Sequence, residues 1–275
     1  MTTINEWLLH NELTLKESGI VSARLDCILL LEDELGKTRE WILAHSEDRI
    51  LESHLLELNT KITQRAQRTP LAYIRNTQEF YGRSFYVDES VLIPRPESES
   101  MINLLQKYNQ KNPATIVDVG TGSGCLSITT KLQMPGANVI ATDISKNALA
   151  VAKQNAERFG ADVQFLQSNL LANAPNILDT NPYTLLANLP YVPTGFITSP
   201  EITKEPPTAL FSGDDGLDLY RRLWHQIKYL QRKPTVVITE SLQSQHQILI
   251  ELAESAGYKI DEIEVLCQRF YLIIS

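Results

Sequence analysis

Five apolar, β-branched runs alternate with helical stretches from residue 115 onward, and no other feature constrains the fold of this 275-residue chain as strongly. Helical stretches such as Lys146–Phe159 and Leu217–Leu230 separate the runs. Strands that are apolar on both faces and joined through helices are typical of a parallel sheet covered by helices on both sides. The runs are Thr115–Val119, Val139–Thr142, Val163–Leu166, Thr184–Ala187 and Val236–Thr239.

The end of the chain departs from this rhythm. Ile260–Leu266 and Arg269–Ile274 both have the composition of strands, and only Cys267 and Gln268 separate them. A crossover between parallel strands needs a dozen or more residues, so these two strands have to be antiparallel. The sequence therefore predicts an α/β fold with a seven-stranded mixed sheet that ends in an antiparallel hairpin.

The first seventy residues predict a small helical bundle without visible catalytic chemistry. Apolar residues recur at i, i+4 and i+7 along Leu51–Ala66, as on the buried face of an amphipathic helix. Ser22 is expected to cap the second helix, Gly36 to end it, and Pro70 to end the fourth.

A β-hairpin is expected to connect this bundle to the sheet. Residues 79–93 alternate aromatic or branched residues around Gly82 and Asp88–Ser90, a pattern typical of two strands with polar turns. The predicted organisation is a helical domain at 1–75, a β-hairpin linker at 76–93 and an α/β domain at 94–275.

Composition and charge exclude several classes of protein. The net charge of −8 argues against holding a nucleic acid duplex through many phosphate contacts, because that mode needs clustered lysine and arginine. The apolar runs are far shorter than the roughly 20 residues of a membrane span. Glu6 and Glu12 do not fit a basic-then-apolar signal peptide. A cytoplasmic protein is the expectation.

One segment, Lys61–Arg83, is locally basic, with five cations and Glu79 as its single acid. It fits either a solvated helix face and loop or a docking surface for a negatively charged partner.

The three cysteines, Cys27, Cys125 and Cys267, have neither pairing nor metal-ligand spacing. We expect buried thiols in a reducing compartment, no disulfide and no metal site.

A glycine-rich loop, Asp118–Gly124, follows the first strand of the sheet and precedes an apolar helix. Its glycines permit a tight turn and close approach of the backbone to a ligand at a helix N-terminus. Asp143 ends the second strand roughly 20 residues further on, where a carboxylate accepts both hydroxyl groups of a ribose. This spacing suits a nucleoside cofactor, NAD included. The candidate ligand-binding residues of the loop are Asp118, Gly120, Thr121, Gly122, Ser123 and Gly124.

Two details favour S-adenosylmethionine over a dinucleotide. Asp118 precedes the first glycine, and the loop reads Gly-Thr-Gly-Ser-Gly where a dinucleotide site has Gly-x-Gly-x-x-Gly. A pyrophosphate disfavours a nearby carboxylate, whereas the cationic methyl donor tolerates one. Asp118 either contacts the ligand or ties the backbone amides of its own loop. Asn169 and Leu170, after the third strand, are candidates for bonding the exocyclic amine of adenine and covering its ring.

The tetrapeptide Asn188-Leu189-Pro190-Tyr191 closes the fourth strand and is the candidate reaction site. The Asn188 carboxamide oxygen and the next carbonyl offer two acceptors, Tyr191 offers an aromatic face, and Pro190 fixes the turn. A planar substrate amide or amine has two N–H donors and a flat π system to match. The structural alternative is a turn asparagine that bonds its own backbone.

These motifs resemble the bacterial protein-glutamine methyltransferases that modify class I peptide chain release factors. The resemblance covers nearly the whole chain, and the combination is more specific than the tetrapeptide, which adenine and cytosine methyltransferases share. It also rests on Pro70–Ile74, Glu79–Gly82, Leu92–Glu99, Arg24–Leu31 and Leu35–Arg39.

The resemblance implies a class I, Rossmann-like S-adenosylmethionine-dependent methyltransferase domain and an N-terminal helical domain that recognises the substrate. It implies methyl transfer to the side-chain amide nitrogen of the glutamine in a Gly-Gly-Gln loop of a class I release factor. Asn188, which also adjoins the cofactor, and Leu189 would accept the two amide hydrogens, and Tyr191 would pack on the amide plane. No membrane contact and no stable nucleic acid binding are expected.

Three departures from the family pattern are present. Pro96-Glu-Ser-Glu99 stands where the family has Pro-Glu-Thr-Glu. Leu189 stands where the family usually has proline, and leucine keeps the backbone carbonyl while losing some rigidity. Asn169 and Leu170 stand where an aspartate and an aromatic residue are frequent, which predicts weaker adenine binding and an intact reacting site.

Other functions fit parts of the sequence. A ribosomal-protein glutamine, or an amino group of a nucleic acid base such as adenine, presents the same donors and π face. The acidic charge argues against the base. A cofactor-binding regulator without chemistry would not need intact Asn188, Pro190 and Tyr191.

Two segments near the site have open roles. Arg95 and Glu97 either wall the site or pair structurally. Glu205–Leu210 either covers the substrate entrance or acts as a rigid proline linker.

Overall fold

The computed structural model describes residues 2–108, 115–172, 182–196 and 199–273. The chain forms two compact units, one made of Met1–Thr77 with Ile197–Lys204 and one made of Gln78–Phe196 with Glu205–Ser275. The sequence pattern does not indicate that residues 199–204 belong with the helical unit. The predicted domain boundaries at residues 75 and 93 stay a prediction.

The first unit is a bundle of helices around an apolar core that includes Trp7, Leu30 and Leu58. Gly36 ends the second helix in the left-handed conformation, as predicted. The expected cap at Ser22 is wrong, because the ψ of this residue is 16° and its side chain makes no capping bond. The helices are α1 (Ile4–Glu17), α2 (Ala23–Leu35), α3 (Arg39–Ala44), α4 (Glu52–Ala66) and α5 (Leu71–Arg75).

The basic side chains of Lys61–Arg75 are paired within this unit. Arg65 is buried and lies 2.7 Å from Asp26, which is buried as well. Four of the five cations of the basic segment are therefore held in ion pairs within this unit, so the segment is neither the solvated face nor the free docking surface that the sequence left open. The pairs are Lys61 with Glu34, Arg65 with Asp26 and Glu201, Arg68 with Glu201, and Arg75 with Asp33.

The second unit begins with the predicted hairpin, β1 (Gln78–Phe80) and β2 (Arg83–Phe85). Tyr81 and Gly82 form its turn, both with positive φ, as a two-residue hairpin loop requires. The hairpin is shorter than the predicted 79–93. The chain leaves strand pairing at Tyr86, because the Asn155 side chain bonds the N–H and the C=O of that residue.

The main sheet of the described residues has seven strands in the order β5-β4-β3-β6-β7-β9-β8, which confirms the predicted mixed sheet. The parallel strands are β3 (Thr115–Val119), β4 (Asn138–Asp143), β5 (Val163–Gln167), β6 (Tyr183–Ala187) and β7 (Val236–Glu240). The antiparallel strands are β8 (Tyr258–Glu264) and β9 (Cys267–Leu272).

Helices cover both faces of this sheet. Val117 and Leu185 belong to one buried cluster with Trp224, whereas Ile116 and Leu186 belong to the cluster on the opposite face. The alternation follows from the period of two in a strand. The described helices are α6 (Glu99–Tyr108), α7 (Cys125–Gln133), α8 (Lys146–Phe159), α9 (Pro207–Leu210), α10 (Asp218–Tyr229) and α11 (His246–Ser255). None of the helices in the described ranges has the length and apolarity to cross a bilayer.

The C-terminal hairpin is antiparallel as predicted, but its turn lies two residues earlier than expected. Val265 has a φ of 57° in that turn, whereas Cys267 and Gln268 are buried in β9. The Gln268 side chain accepts from Thr239 of β7 at 2.8 Å, so a partner on the neighbouring strand holds this polar residue inside the sheet. Ile274, the predicted end of the last strand, lies outside the described residues.

Candidate active site

A cavity of about 460 Å³ lies at the carboxyl ends of β3, β4, β5 and β6. From β3 the chain continues to β4 and β5 on one side and later returns to β6 on the other side. Open α/β sheets bind ligands at such a switch point, here between β3 and β6. A volume of this size suits a nucleoside-sized ligand. Each strand contributes residues at or directly after its carboxyl end, namely Gly120–Ser123, Asp143–Ser145, Ser168–Leu170 and Asn188–Pro190.

The glycine-rich loop turns under the cavity with positive φ at Gly120, Gly122 and Gly124. A β-carbon on Gly124 would lie 2.8 Å from Ile128 Cδ1 and 3.1 Å from Ala152 Cβ, so only glycine lets the loop meet α7 and α8. A β-carbon on Gly122 would meet no protein atom within 4 Å, and this residue lines the cavity. The loop therefore brings bare backbone to the ligand space.

Asp118 lies beneath the loop and is fully buried. Its Oδ2 accepts from the Thr121 hydroxyl at 2.6 Å, and Thr121 Oγ1 lies 2.9 Å from Ser127 Oγ. Burial raises the pKa of Asp118 to about 6. Neither Asp118 nor Gly124 belongs to the cavity wall. Asp118 thus holds its own loop through the Thr121 hydroxyl, and direct contact of Asp118 with a ligand stays a prediction.

Asp143 lines the cavity with a fixed carboxylate. Its Oδ2 accepts from Gly122 N at 3.0 Å and its Oδ1 from Ser145 N at 2.8 Å. Burial raises the pKa of Asp143, and the two backbone donors favour the ionised form. Each carboxylate oxygen keeps acceptor capacity for the vicinal hydroxyls of a ribose.

Asn169 and Leu170 both line the cavity, as the sequence predicts for an adenine site. Leu170 has a φ of 54°, which is uncommon for a residue other than glycine. Arg222 donates to Asn169 Oδ1 at 2.9 Å and lines the cavity as well. An amide oxygen accepts two hydrogen bonds, so Asn169 Oδ1 keeps capacity for the exocyclic amine, and this contact with adenine stays a prediction.

The Asn188 side chain is held by its amide nitrogen. Nδ2 donates to Ser98 Oγ at 2.9 Å and to Glu240 Oε2 at 3.2 Å. Both amide hydrogens are thereby used inside the protein. Within the described residues no donor bonds Oδ1, which is consequently the atom available to a ligand in the cavity that Asn188 lines.

Buried side chains also hold the rest of the tetrapeptide in place. Leu189 N donates to the buried Tyr220 hydroxyl at 3.3 Å, and no donor among the described residues bonds the Leu189 carbonyl. Pro190 lines the cavity. The Tyr191 hydroxyl donates to Glu240 Oε1 at 2.8 Å, but Tyr191 is not part of the cavity wall. Its predicted packing on the substrate amide stays a prediction.

Three residues that sequence reasoning missed support the site: Ser98, Tyr220 and Glu240. Glu240 offered a signal, since it ends the last parallel strand, and residues at the carboxyl ends of such strands surround the ligand site. Ser98 offered a weaker signal, because it lies in the Leu92–Glu99 string on which the resemblance rests. Tyr220 offered none, because it lies on a helix that carries no motif of the site.

The segment that begins at Glu205 forms part of the cavity wall through Pro206, Thr208 and Ala209. Glu205 is buried, accepts from Arg95 at 2.5 Å and from Ile93 N at 3.2 Å, and so anchors the segment. Arg95 also lines the cavity, so it both walls the site and pairs structurally.

The chain is a class I methyltransferase that uses S-adenosylmethionine. The strand order is that of the class, and the cavity lies at the switch point of the sheet with a volume that suits the cofactor. The roles predicted for Asp143, Gly122 and Leu170 towards the cofactor stay predictions. The family profile described as "PrmC N-terminal domain" matches residues 6–75, and the one described as "Methyltransferase small domain" matches residues 98–191.

Known relatives identify the family. The chain is 36% identical over 241 residues to the release factor glutamine methyltransferase of Enterococcus faecalis, covering 86% of this chain and 85% of that protein. It is 34% identical over 280 residues to the release factor glutamine methyltransferase of Bacillus subtilis, covering 97% and 94%. The chain belongs to the release factor glutamine methyltransferase family.

Solved structures support the fold. The hMettl16 catalytic domain, determined with the MAT2A 3'UTR hairpin 1, aligns with a TM-score of 0.56 and 14% identity, covering 81% of both chains. A methyltransferase from Pyrococcus furiosus aligns with a TM-score of 0.52 and 14% identity, covering 82% of this chain and all of that one. At this identity the likeness shows the fold alone.

Proposed function

We propose that this chain transfers a methyl group from S-adenosylmethionine to the side-chain amide nitrogen of the glutamine in the Gly-Gly-Gln loop of a class I peptide chain release factor. The observation that carries the proposal is the orientation of Asn188. Both of its amide hydrogens are bound by Ser98 and Glu240, so an oxygen acceptor is turned towards the ligand space. The Leu189 carbonyl supplies a second acceptor beside it.

Two acceptors are what a primary amide requires. A glutamine amide nitrogen carries two hydrogens, and Asn188 Oδ1 with the Leu189 carbonyl oxygen accept one each. The amide nitrogen is a poor nucleophile because its lone pair is delocalised into the carbonyl. Positioning by the two acceptors therefore supplies a large share of the catalysis.

When bound, the cofactor supplies a methyl group on a positively charged sulfur, which keeps the electron pair of the S–C bond while the new N–C bond forms. The amide nitrogen gains positive character during the transfer. Asn188 Oδ1 and the Leu189 carbonyl then bind its hydrogens more tightly than in the ground state, which is the differential binding that lowers a barrier. An N-alkylated amide cation is strongly acidic, so the departing proton passes to water and the chain needs no strong base.

The partner and the location follow from the same proposal. The named relatives act on release factors, which supports a release factor as the protein substrate. A single loop offers little contact area, so the helical unit is proposed to bind another part of the same partner. Translation factors are cytoplasmic, and so is the proposed site of action.

The test is mass spectrometry of a purified release factor incubated with this chain and S-adenosylmethionine. One methyl group on the loop glutamine is expected, and none on a release factor whose loop glutamine is replaced by alanine. Asn188→Ala is expected to lower the transfer by at least about 100-fold and to leave a residual rate that can still be measured. Asn103→Ala is the matched control, because that side chain bonds Glu264 and does not line the cavity. Absence of methylation by a folded chain that binds the cofactor would overturn the proposal.

A further inference from the structure

We propose that Glu240 is a positioning residue whose carboxylate sets the orientation of the Asn188 carboxamide, so that Oδ1 and not Nδ2 faces the substrate amide. The orientation of the Asn188 side chain is a property of the chain without any substrate, whereas its consequence for catalysis rests on the proposed function.

The topology places Glu240 beside Asn188. Strand β7 pairs with β6 in parallel, with Thr239 opposite Ala187, so the residues that follow in each strand come together at the carboxyl edge of the sheet. Glu240 is fully buried. Its Oε2 accepts from Asn188 Nδ2 and its Oε1 from the Tyr191 hydroxyl, so one carboxylate holds both the first and the last residue of the tetrapeptide.

The chemistry of the two groups makes this contact directional. Burial raises the pKa of Glu240, but hydrogen bonds from the Ser98, Tyr191 and Asn188 side chains favour the ionised form. An ionised carboxylate only accepts hydrogen bonds, and an amide NH₂ only donates them. A carboxamide has nearly the same shape after a flip of about 180° about its last side-chain bond, so packing alone does not choose between its two orientations. With Asn188 reversed, its oxygen would face the Glu240 carboxylate and its NH₂ would face the N–H donors of the substrate. Both contacts would be repulsive. The Glu240 carboxylate therefore disfavours the reversed orientation of Asn188 even when no substrate is bound.

The surroundings of Glu240 indicate a purpose beyond stability. In the part of the chain that the structure describes, no lysine or arginine forms an ion pair with this carboxylate, and its partners are neutral donors. Burial without a cation disfavours a charge, and a neutral or apolar residue of similar volume avoids that cost. A carboxylate kept in such a place beside the reaction site points to a function there.

Methyl transfer by matched variants tests the catalytic consequence. Glu240→Met keeps the volume and removes every acceptor, and we expect kcat to fall about 100-fold, the effect of losing one oriented polar group at a reacting centre. Glu240→Gln keeps one oxygen for Asn188 and is expected to lose about tenfold or less. The cofactor Kd should stay within about twofold in both, since Glu240 does not line the cavity.

A double variant separates positioning from direct action. If Glu240 acts through Asn188, Glu240→Met lowers the rate no further when Asn188 is already alanine. Two results would overturn the inference: a Glu240→Met rate within threefold of the unmodified chain, or losses that multiply in the double variant.

A spectroscopic readout tests the orientation without any substrate. In protein labelled with ¹⁵N at asparagine, the Asn188 NH₂ signals are those that Asn188→Ala removes. Slow exchange of these hydrogens with water is expected, and exchange at least about tenfold faster in Glu240→Met. Unchanged exchange would sink the inference. Faster exchange in a chain that methylates no glutamine would refute the proposed function and leave the role of Glu240 standing.

Discussion

The hydroxyl of Tyr220 joins the two strand ends that carry the site, and its removal in Tyr220→Phe is a demanding prediction. The hydroxyl oxygen accepts from Leu189 N and Glu240 N, both at 3.3 Å. It lies 2.6 Å from the Glu240 carbonyl and 2.8 Å from the Ala187 carbonyl, either of which takes its single hydrogen. A phenyl ring fills the same space and leaves both N–H groups, and the carbonyl that took the hydroxyl hydrogen, buried without this partner.

The size of the effect follows from those contacts. A buried donor left without a partner costs about 1–3 kcal/mol. Both bonds are long at 3.3 Å, so the lower part of that range applies to each, and the free energy of unfolding should fall by about 2–4 kcal/mol. For a unit of this size that corresponds to a decrease of roughly 5–15 °C in Tm. The rate of methyl transfer should fall too, because Leu189 and Glu240 lose their shared support.

Urea unfolding of the purified variants measures the change, and Tyr258→Phe is the matched control. Tyr258 is a fully buried tyrosine of the same unit whose hydroxyl donates to the Pro234 carbonyl at 2.6 Å. Its removal leaves a single carbonyl unpaired, so a loss of about 1 kcal/mol with unchanged activity is expected. The reasoning fails if Tyr220→Phe lies within about 0.5 kcal/mol of the unmodified chain, or if both variants lose equally.

Three further predictions concern the loop and the cavity wall. Burial raises the pKa of Asp118 from 3.8 to about 6, so its contribution to stability is present below pH 4 and lost as the pH rises through 6. The free energy of unfolding of Asp118→Asn, relative to that of the unmodified chain, should therefore rise by about 3 kcal/mol from pH 4 to pH 7. Denaturant unfolding at both pH values measures this, and a difference that does not change with pH would contradict it. Gly124→Ala should cost about 2–4 kcal/mol and weaken cofactor binding in calorimetry, because its φ is 80° and its β-carbon meets Ile128. Gly160→Ala, at a φ of 62° in open space, should cost only about 1 kcal/mol, and equal costs would refute the packing argument. Glu205→Ala removes the anchor of a cavity-lining segment and should raise the KM for the protein substrate several-fold, so an unchanged KM would show that the segment does not shape the entrance.

The sequence predicted the parts of the fold that local patterns encode. The period of two and the apolar character of each strand set the sheet, and the two-residue gap near Cys267 set the antiparallel ending. Gly120 and Asp143 follow directly after apolar runs, so their place at one edge of the sheet could be predicted from chain order alone. Asn188 could be placed at the cavity for the same reason. The exact turn of the last hairpin could not be predicted, because Gln268 lies inside the sheet through contacts with residues distant in sequence, such as the hydrogen bond from the Thr239 hydroxyl.

What the sequence determined by itself is thus the class of fold and the residues that each strand end offers to a ligand. The tertiary structure decided what those residues do. Asn188 offers its oxygen because Glu240 and Ser98, 52 and 90 positions away, take its hydrogens. The physical reason is that propensity and periodicity act between near neighbours in the chain. A hydrogen bond across two strands, by contrast, depends on which strands the sheet brings side by side.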